Sequence, residues 1–203
     1  LLDNAQQLKA DFSDLAIYPV CEDISESFGL PKEVRAMHKL GFFPGSSIGN
    51  FTPKEATVFL QRLRATLGAG AQLLIGVDAK KSVSVLEAAY NDSAGVTAAF
   101  NLNALQHLNE HLGANFKLEQ FAHEARYNVE LGCIQMFLRS RVAQQVEISG
   151  SVLEFTAGEV IHTEDSYKYQ PEEFLFLAQD AGFSKTALWQ DADAWYSLFL
   201  MHT

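Results

Sequence analysis

The segment from Lys39 to Val77 constrains the fold most. An apolar run from Lys39 to Pro44 breaks at Gly45-Ser46-Ser47. Thr52, Pro53 and Glu55 then open a helical run to Leu67, Gly68-Ala69-Gly70 stops it, and Gln72 to Val77 is a second continuous apolar run. Short apolar runs bounded by glycine read as buried strands, and threonine followed three residues later by glutamate is a helix-capping pair. Strand, helix, strand at this rhythm implies a right-handed crossover and a mostly parallel sheet covered on both faces. The core is therefore α/β.

Upstream, Leu1, Leu2, Ala5, Leu8 and Phe12 give Leu1 to Asp14 a helical spacing, and Leu15 to Val20 reads as a strand ending at Cys21-Glu22-Asp23. Downstream the rhythm changes. Two helices, about Ser84 to Tyr90 and Val96 to Leu112, precede strand-like runs at Phe121 to Tyr127, Cys133 to Arg141, Val146 to Ser151 and Glu159 to Tyr169. Consecutive strands with short turns make an antiparallel sheet, so an α+β lobe inserted at residues 81–168 is expected between core segments 1–80 and 169–203. Pro171 opens a helix to Ala181. Lys185 to Trp189 and Trp195 to Met201, separated by Asp191-Ala192-Asp193-Ala194, read as a closing hairpin on the main sheet.

Charge narrows the partners. The 203 residues carry a formal charge of -10 with no Lys/Arg-rich stretch, which argues against nucleic acid and anionic membranes, since both need a basic footprint. No run approaches the ~20 apolar residues of a membrane-spanning helix, and the start has neither a basic nor an apolar leader region, so a cytoplasmic location is expected. Cys21 and Cys133 fit no metal or redox spacing and are expected to be reduced, buried and inert.

In an open parallel sheet, ligands sit beyond the carboxyl ends of the strands. Two such ends are visible: one holds Asp23, the other Gly45-Ser46-Ser47-Ile48-Gly49-Asn50. Glycine there lets a ligand approach the backbone, and Asn50 offers both a donor and an acceptor. Spacing alone favours a plain strand-to-helix turn over a ligand site. The stretch His162 to Tyr169 is polar for a strand. Period two places His162, Glu164, Ser166 and Lys168 on one face. A carboxylate beside a hydroxyl suits an imidazole ring, one accepting from a ring N–H and the other meeting the second nitrogen; the alternative is a solvated edge strand. His107-Leu108-Asn109-Glu110-His111 fits a helical zinc pattern. Both its histidines lie opposite the stripe of Ala98, Leu102, Leu105, Leu108 and Leu112, facing water, so no metal is expected there.

The run Phe42 to Phe51 resembles the histidine-specific methyltransferase family, and the likeness continues through Leu74 to Asp78, Ala88 to Asp92, Gly95 to Asn103, His123 to Asn128 and Ile161 to Lys168. Together and in this order these runs are specific. The resemblance implies a Rossmann-like methyltransferase sheet with an inserted substrate-binding lobe. It also implies S-adenosyl-L-methionine as cofactor and methylation of the α-amine of free L-histidine to the trimethylated betaine, hercynine, on the way to ergothioneine. It implies that Gly45, Ser47 and Asn50 hold the amino-acid end, with Tyr90 joining Asn50 at the carboxylate. Glu164 and Ser166 would bind the imidazole, Met136 would line its pocket, and Asp23 with Ile24 would contact the adenine. Asn50 is the expected orienter of the reacting amine. The family's glycine-rich first turn, its ribose-binding acidic residue and its N-terminal pocket tyrosines have no counterpart here. The chain is therefore expected to be truncated at its N-terminal side, with a sheet edge that a second copy would cover as a homo-oligomer. Two alternatives stay open: a methyltransferase for another amine, including an ovothiol-synthase-type domain, and a non-catalytic histidine-binding fragment.

Overall fold

A computed structural model describes residues 1–203. In chain order it forms α1 (Leu2–Asp11), β1 (Leu40–Phe43), α2 (Pro53–Leu67), β2 (Gln72–Asp78), α3 (Val83–Tyr90), α4 (Val96–Leu112), β3 (Phe121–Asn128) and β4 (Cys133–Ser140). There follow β5 (Gln144–Ile148), β6 (Ser151–Phe155), β7 (Val160–Tyr167), α5 (Pro171–Asp180), β8 (Ser184–Gln190) and β9 (Tyr196–His202). The main sheet has the order β1-β2-β9-β8; β1 and β2 run parallel, while β9 is antiparallel to both β2 and β8.

Its core follows from alternation. Leu73, Ile75 and Val77 on β2 point to the same face as Phe199 and Met201 on β9, where α2 contributes Phe59 and Leu60 and α5 contributes Phe174, Leu177 and Ala178. Helix α2 starts where the sequence signalled: Thr52 Oγ1 accepts from the Glu55 backbone N–H, and Glu55 returns a carboxylate to the Thr52 N–H. Sequence reasoning expected a mostly parallel sheet, whereas only β1–β2 is parallel, because β8 and β9 return as an antiparallel hairpin; it also expected both faces to be covered. Only one receives the helices α2 and α5, and on the other Leu74, Leu198 and Leu200 stay partly exposed.

A second sheet, β3-β4-β7, is wholly antiparallel, with α3 and α4 packed against it. Two small apolar clusters hold it: Leu105, Phe116, Phe121, Leu138 and Val146, and Leu86, Ala125, Ile134 and Met136. No helix is long and apolar enough to cross a membrane.

Four local expectations are corrected. Leu15 to Val20 forms no strand; it pairs with no strand of the sheet and is largely exposed, so it gains neither the ladder bonds nor the burial that a strand needs. Val146 to Ser151 is two strands, because Ser149 (φ 48°) and Gly150 (φ 79°) make a two-residue hairpin turn between β5 and β6. A β-bulge at Thr163 shifts the β4–β7 register, so that Met136 faces Glu164 but Phe137 faces His162. His162 is thereby turned to the face opposite Glu164, where its Nε2 lies 2.9 Å from Asp165 Oδ1. Of the cysteines, Cys133 is buried and its thiol pushed up to about 11 by desolvation, whereas Cys21 is exposed.

Candidate active site

The ends of several elements converge on one polar cleft of about 380 Å³, bordered by Gly45, Ser46, Ser47, Asn50, Asp78, Tyr90, Glu164, Ser166, Lys168 and Tyr196. It lies beyond the carboxyl ends of β1, β2 and β7. Tyr196 starts the antiparallel β9 opposite Asp78 and so reaches the same rim. A second hollow, about 410 Å³ and more apolar, lies between α2 and α5 and holds none of the site residues expected from the sequence. The polar cleft gathers six of them: Gly45, Ser47, Asn50, Tyr90, Glu164 and Ser166.

Close approach explains the loop after β1. Ser46 sits in the left-handed region (φ 56°), and its Oγ accepts the Asp78 backbone N–H at 2.8 Å. The Tyr196 phenol donates to the Pro44 carbonyl, and Gly76 beneath has no room for a side chain. The following 3-10 turn, Ser47–Asn50, presses on β7: a Cβ on Gly49 would lie 2.7 Å from the Tyr167 carbonyl oxygen. Glycine is required there by contact, and this contact fixes Asn50 relative to Ser166.

Tyr90 is held from behind. Asn91 pins the end of α3 to β3, donating to the Ala125 carbonyl at 2.9 Å and accepting the Ala125 N–H at 3.0 Å. His123 Nε2 lies 2.8 Å from the Tyr90 carbonyl, and His123 Nδ1 lies 2.9 Å from buried Asn101 Nδ2. With Nδ1 accepting, Nε2 carries the proton and donates forward to Tyr90.

The hydroxyls of Tyr90 and Ser166 are 3.0 Å apart. Lys168 Nζ donates to both, at 2.7 and 2.9 Å, and lies 3.0 Å from Asp78 Oδ2; Lys81 takes the other Asp78 oxygen. Glu164 is half-buried and accepts nothing from the protein. Desolvation raises its carboxyl above the usual range, and the positive charge of Lys168 partly opposes this.

The other expected residues sit elsewhere. Met136 is 3 % exposed, packed with Leu86, Ala125 and Ile134 below Glu164, and does not border the cleft. Asp23 Oδ1 accepts the Ser25 backbone N–H and hydroxyl, which hold its carboxyl below the usual range. Ile24 borders an apolar crevice of about 150 Å³ with Phe43, Phe59 and Leu63. Asp78, Lys168, Lys81, Ser46 and Tyr196 were not picked out as site residues. For Asp78 the signal was present: a carboxylate closing an apolar parallel strand is at the place where such sheets bind ligands.

The fold is that of a Rossmann-like methyltransferase. In a solved structure, the CcbJ methyltransferase of Streptomyces caelestis, the same arrangement recurs with a TM-score of 0.52 at 12 % identity, covering 100 % of this chain and 75 % of that one. More particularly, the whole chain, residues 1–203, matches the model of the S-adenosylmethionine-dependent, histidine-specific methyltransferases, and it belongs to that family. It is similar to the histidine N-alpha-methyltransferase of Mycolicibacterium smegmatis (40 % identical, covering 94 % of this chain and 60 % of the relative) and that of Mycobacterium tuberculosis (35 %, covering 97 % and 61 %). The chain thus spans about three fifths of those relatives' length. The L-tryptophan methyltransferase of Psilocybe serbica is 30 % identical, covering 77 % of this chain and 44 % of that protein.

Proposed function

We propose that the protein transfers methyl groups from S-adenosylmethionine to the α-amine of free L-histidine, repeatedly, to give the trimethylated betaine. The observation that carries this reading is the Glu164 carboxylate, half-buried in a polar cleft and unpartnered by the protein, beside the Ser166 hydroxyl. An imidazole supplies what that pair lacks: one N–H for the carboxylate and a second nitrogen for the hydroxyl. An apolar side chain would leave the carboxylate desolvated and unpaired, which selects against it.

The bound cofactor supplies an electrophilic methyl on a sulfonium. Asp23 and Ile24 would hold its adenine end: Asp23 keeps Oδ2 to accept from an exocyclic amine, and the apolar crevice beside Ile24 would meet the edge of the ring. The chain's own task at the other end is alignment. Asn50 and Tyr90 hold the carboxylate, Asn50 accepts an N–H of the amine, and its lone pair is thereby aimed. A free α-amine has a pKa of about 8; a cleft that strips its water beside a cationic sulfonium favours the neutral, nucleophilic form. Anchoring the imidazole as well as the carboxylate keeps the amine in register through successive transfers.

The test is mass spectrometry of free amino acids incubated with S-adenosylmethionine and the full-length gene product, run beside the 203-residue chain. Mono-, di- and trimethylated histidine is expected from the full-length protein. Tryptophan or another amino acid methylated in preference, or no methylated amino acid at all, overturns the reading.

A further inference from the structure

We infer that Lys168 is a positioning residue for the substrate, holding Tyr90 and Ser166 so that each keeps its own hydroxyl hydrogen for the ligand. The inference rests on the histidine reading and extends it to a residue outside the contact set. Lys168 is 3 % exposed, and a buried ammonium is tolerated only when its hydrogens are taken up. Three oxygens surround Nζ: Tyr90 at 2.7 Å, Ser166 at 2.9 Å and Asp78 at 3.0 Å. Its charge also stands 4.8 Å from the centre of the Tyr90 ring. All three ammonium hydrogens therefore have acceptors within the protein, which leaves Lys168 none to offer a ligand directly.

The consequence lies with the two hydroxyls. Two neutral hydroxyls 3.0 Å apart satisfy each other by one donating to the other, which leaves a single hydrogen for the cleft. With Lys168 donating to both, neither needs its neighbour, and both hydrogens can turn outward: Tyr90 to a carboxylate, Ser166 to an imidazole nitrogen. Donation from a cation also polarises each O–H and strengthens what it gives onward. Asp78 ends β2, so the same ammonium ties that strand to the end of β7 across the cleft. Asp78 is shared with Lys81, so removing the Lys168 charge still leaves that carboxylate paired.

A plain structural ion pair between β2 and β7 is the competing account, and the two differ in what they couple. In the full-length gene product, Lys168→Met should weaken histidine binding by calorimetry roughly 10- to 100-fold, the loss expected for hydrogen bonds that depend on a charge. KM should rise more than kcat falls, and S-adenosylhomocysteine should bind as before. In a Tyr90→Phe/Ser166→Ala background the same change should cost under about 3-fold, because its route to the substrate is gone. Equal losses in both backgrounds, or equal losses of histidine and S-adenosylhomocysteine, would overturn the inference. Should Lys168→Met fail to fold, the lysine ammonium signals of the 15N-labelled wild type decide. One should exchange slowly in the ligand-free protein and faster in Tyr90→Phe and in Ser166→Ala; absence of such a signal overturns the inference. A wild type that shows this signal yet binds no histidine would overturn the histidine reading and uphold the Lys168 network.

Discussion

At the scale of single residues, Glu164 has two opposed roles that separate experimentally. Glu164→Ala removes the partner of the imidazole and should weaken histidine by about 1.5–3 kcal/mol in calorimetry while leaving cofactor binding nearly unchanged; equal loss of both would remove Glu164 from the imidazole site. Glu164→Gln tests the cost of burial. Desolvation raises the carboxyl in the folded state, so folding is favoured while it is protonated, and that contribution is lost as pH rises from about 4.3 through the raised value. Without substrate, Glu164→Gln should therefore melt above wild type at pH 7 to 8, with the gap narrowing as pH falls below 5. Glu164 and Ser166 were legible because period two puts them on one face. Lys168 was on that face too, but its role depends on Asp78 and Tyr90, which lie 90 and 78 positions away and which no spacing rule connects to it.

Among the elements, capping and turn chemistry decide what could be foreseen. The pair Thr52 and Glu55 announced α2 in the sequence. Helix α4 has Gly95 at its N-cap, and its cap is supplied from further upstream: Asp92 accepts the backbone N–H groups of Val96 and Thr97 at 2.9 and 2.8 Å. Those bonds, the one from Thr97 above all, hold the Asp92 carboxyl down to about 2. A depressed carboxyl stabilises the fold above its unfolded value of about 3.9 and loses that effect as pH falls through about 2. Asp92→Ala should thus lower the melting temperature at pH 7, and the deficit should shrink between pH 4 and pH 2; a deficit independent of pH would refute the cap. The β5–β6 hairpin was misread for a related reason: Ser149 takes a positive φ, which a serine does not advertise.

For the whole molecule, the main sheet ends at β1, whose outer edge pairs with no other strand and whose Leu40 and Phe42 are 56 % and 68 % exposed. An apolar strand edge is a template for pairing with another chain. Light scattering should show the 203-residue chain associating as concentration rises, and Phe42→Lys should reduce this; a monomer at all concentrations would refute it. In the main sheet, the antiparallel pairing of β9 with β2 across the inserted lobe was not legible, whereas the β1-α2-β2 crossover and the β8–β9 hairpin were readable from strand and helix rhythm, because each is local. The sheet's bare second face was not, since periodicity tells which side of a helix is apolar and says nothing about which side of the sheet it will cover. The bulge at Thr163 carries a last consequence. Side chains along a strand ordinarily stay in phase, so a residue gained or lost anywhere turns all of them over. At Thr163 that phase is already broken, and its hydroxyl secures the break by donating to the Met136 carbonyl at 3.0 Å. Insertions toward Val160 can therefore be absorbed there, leaving the distal end of the lobe free to change length while Glu164 and Ser166 keep their aim.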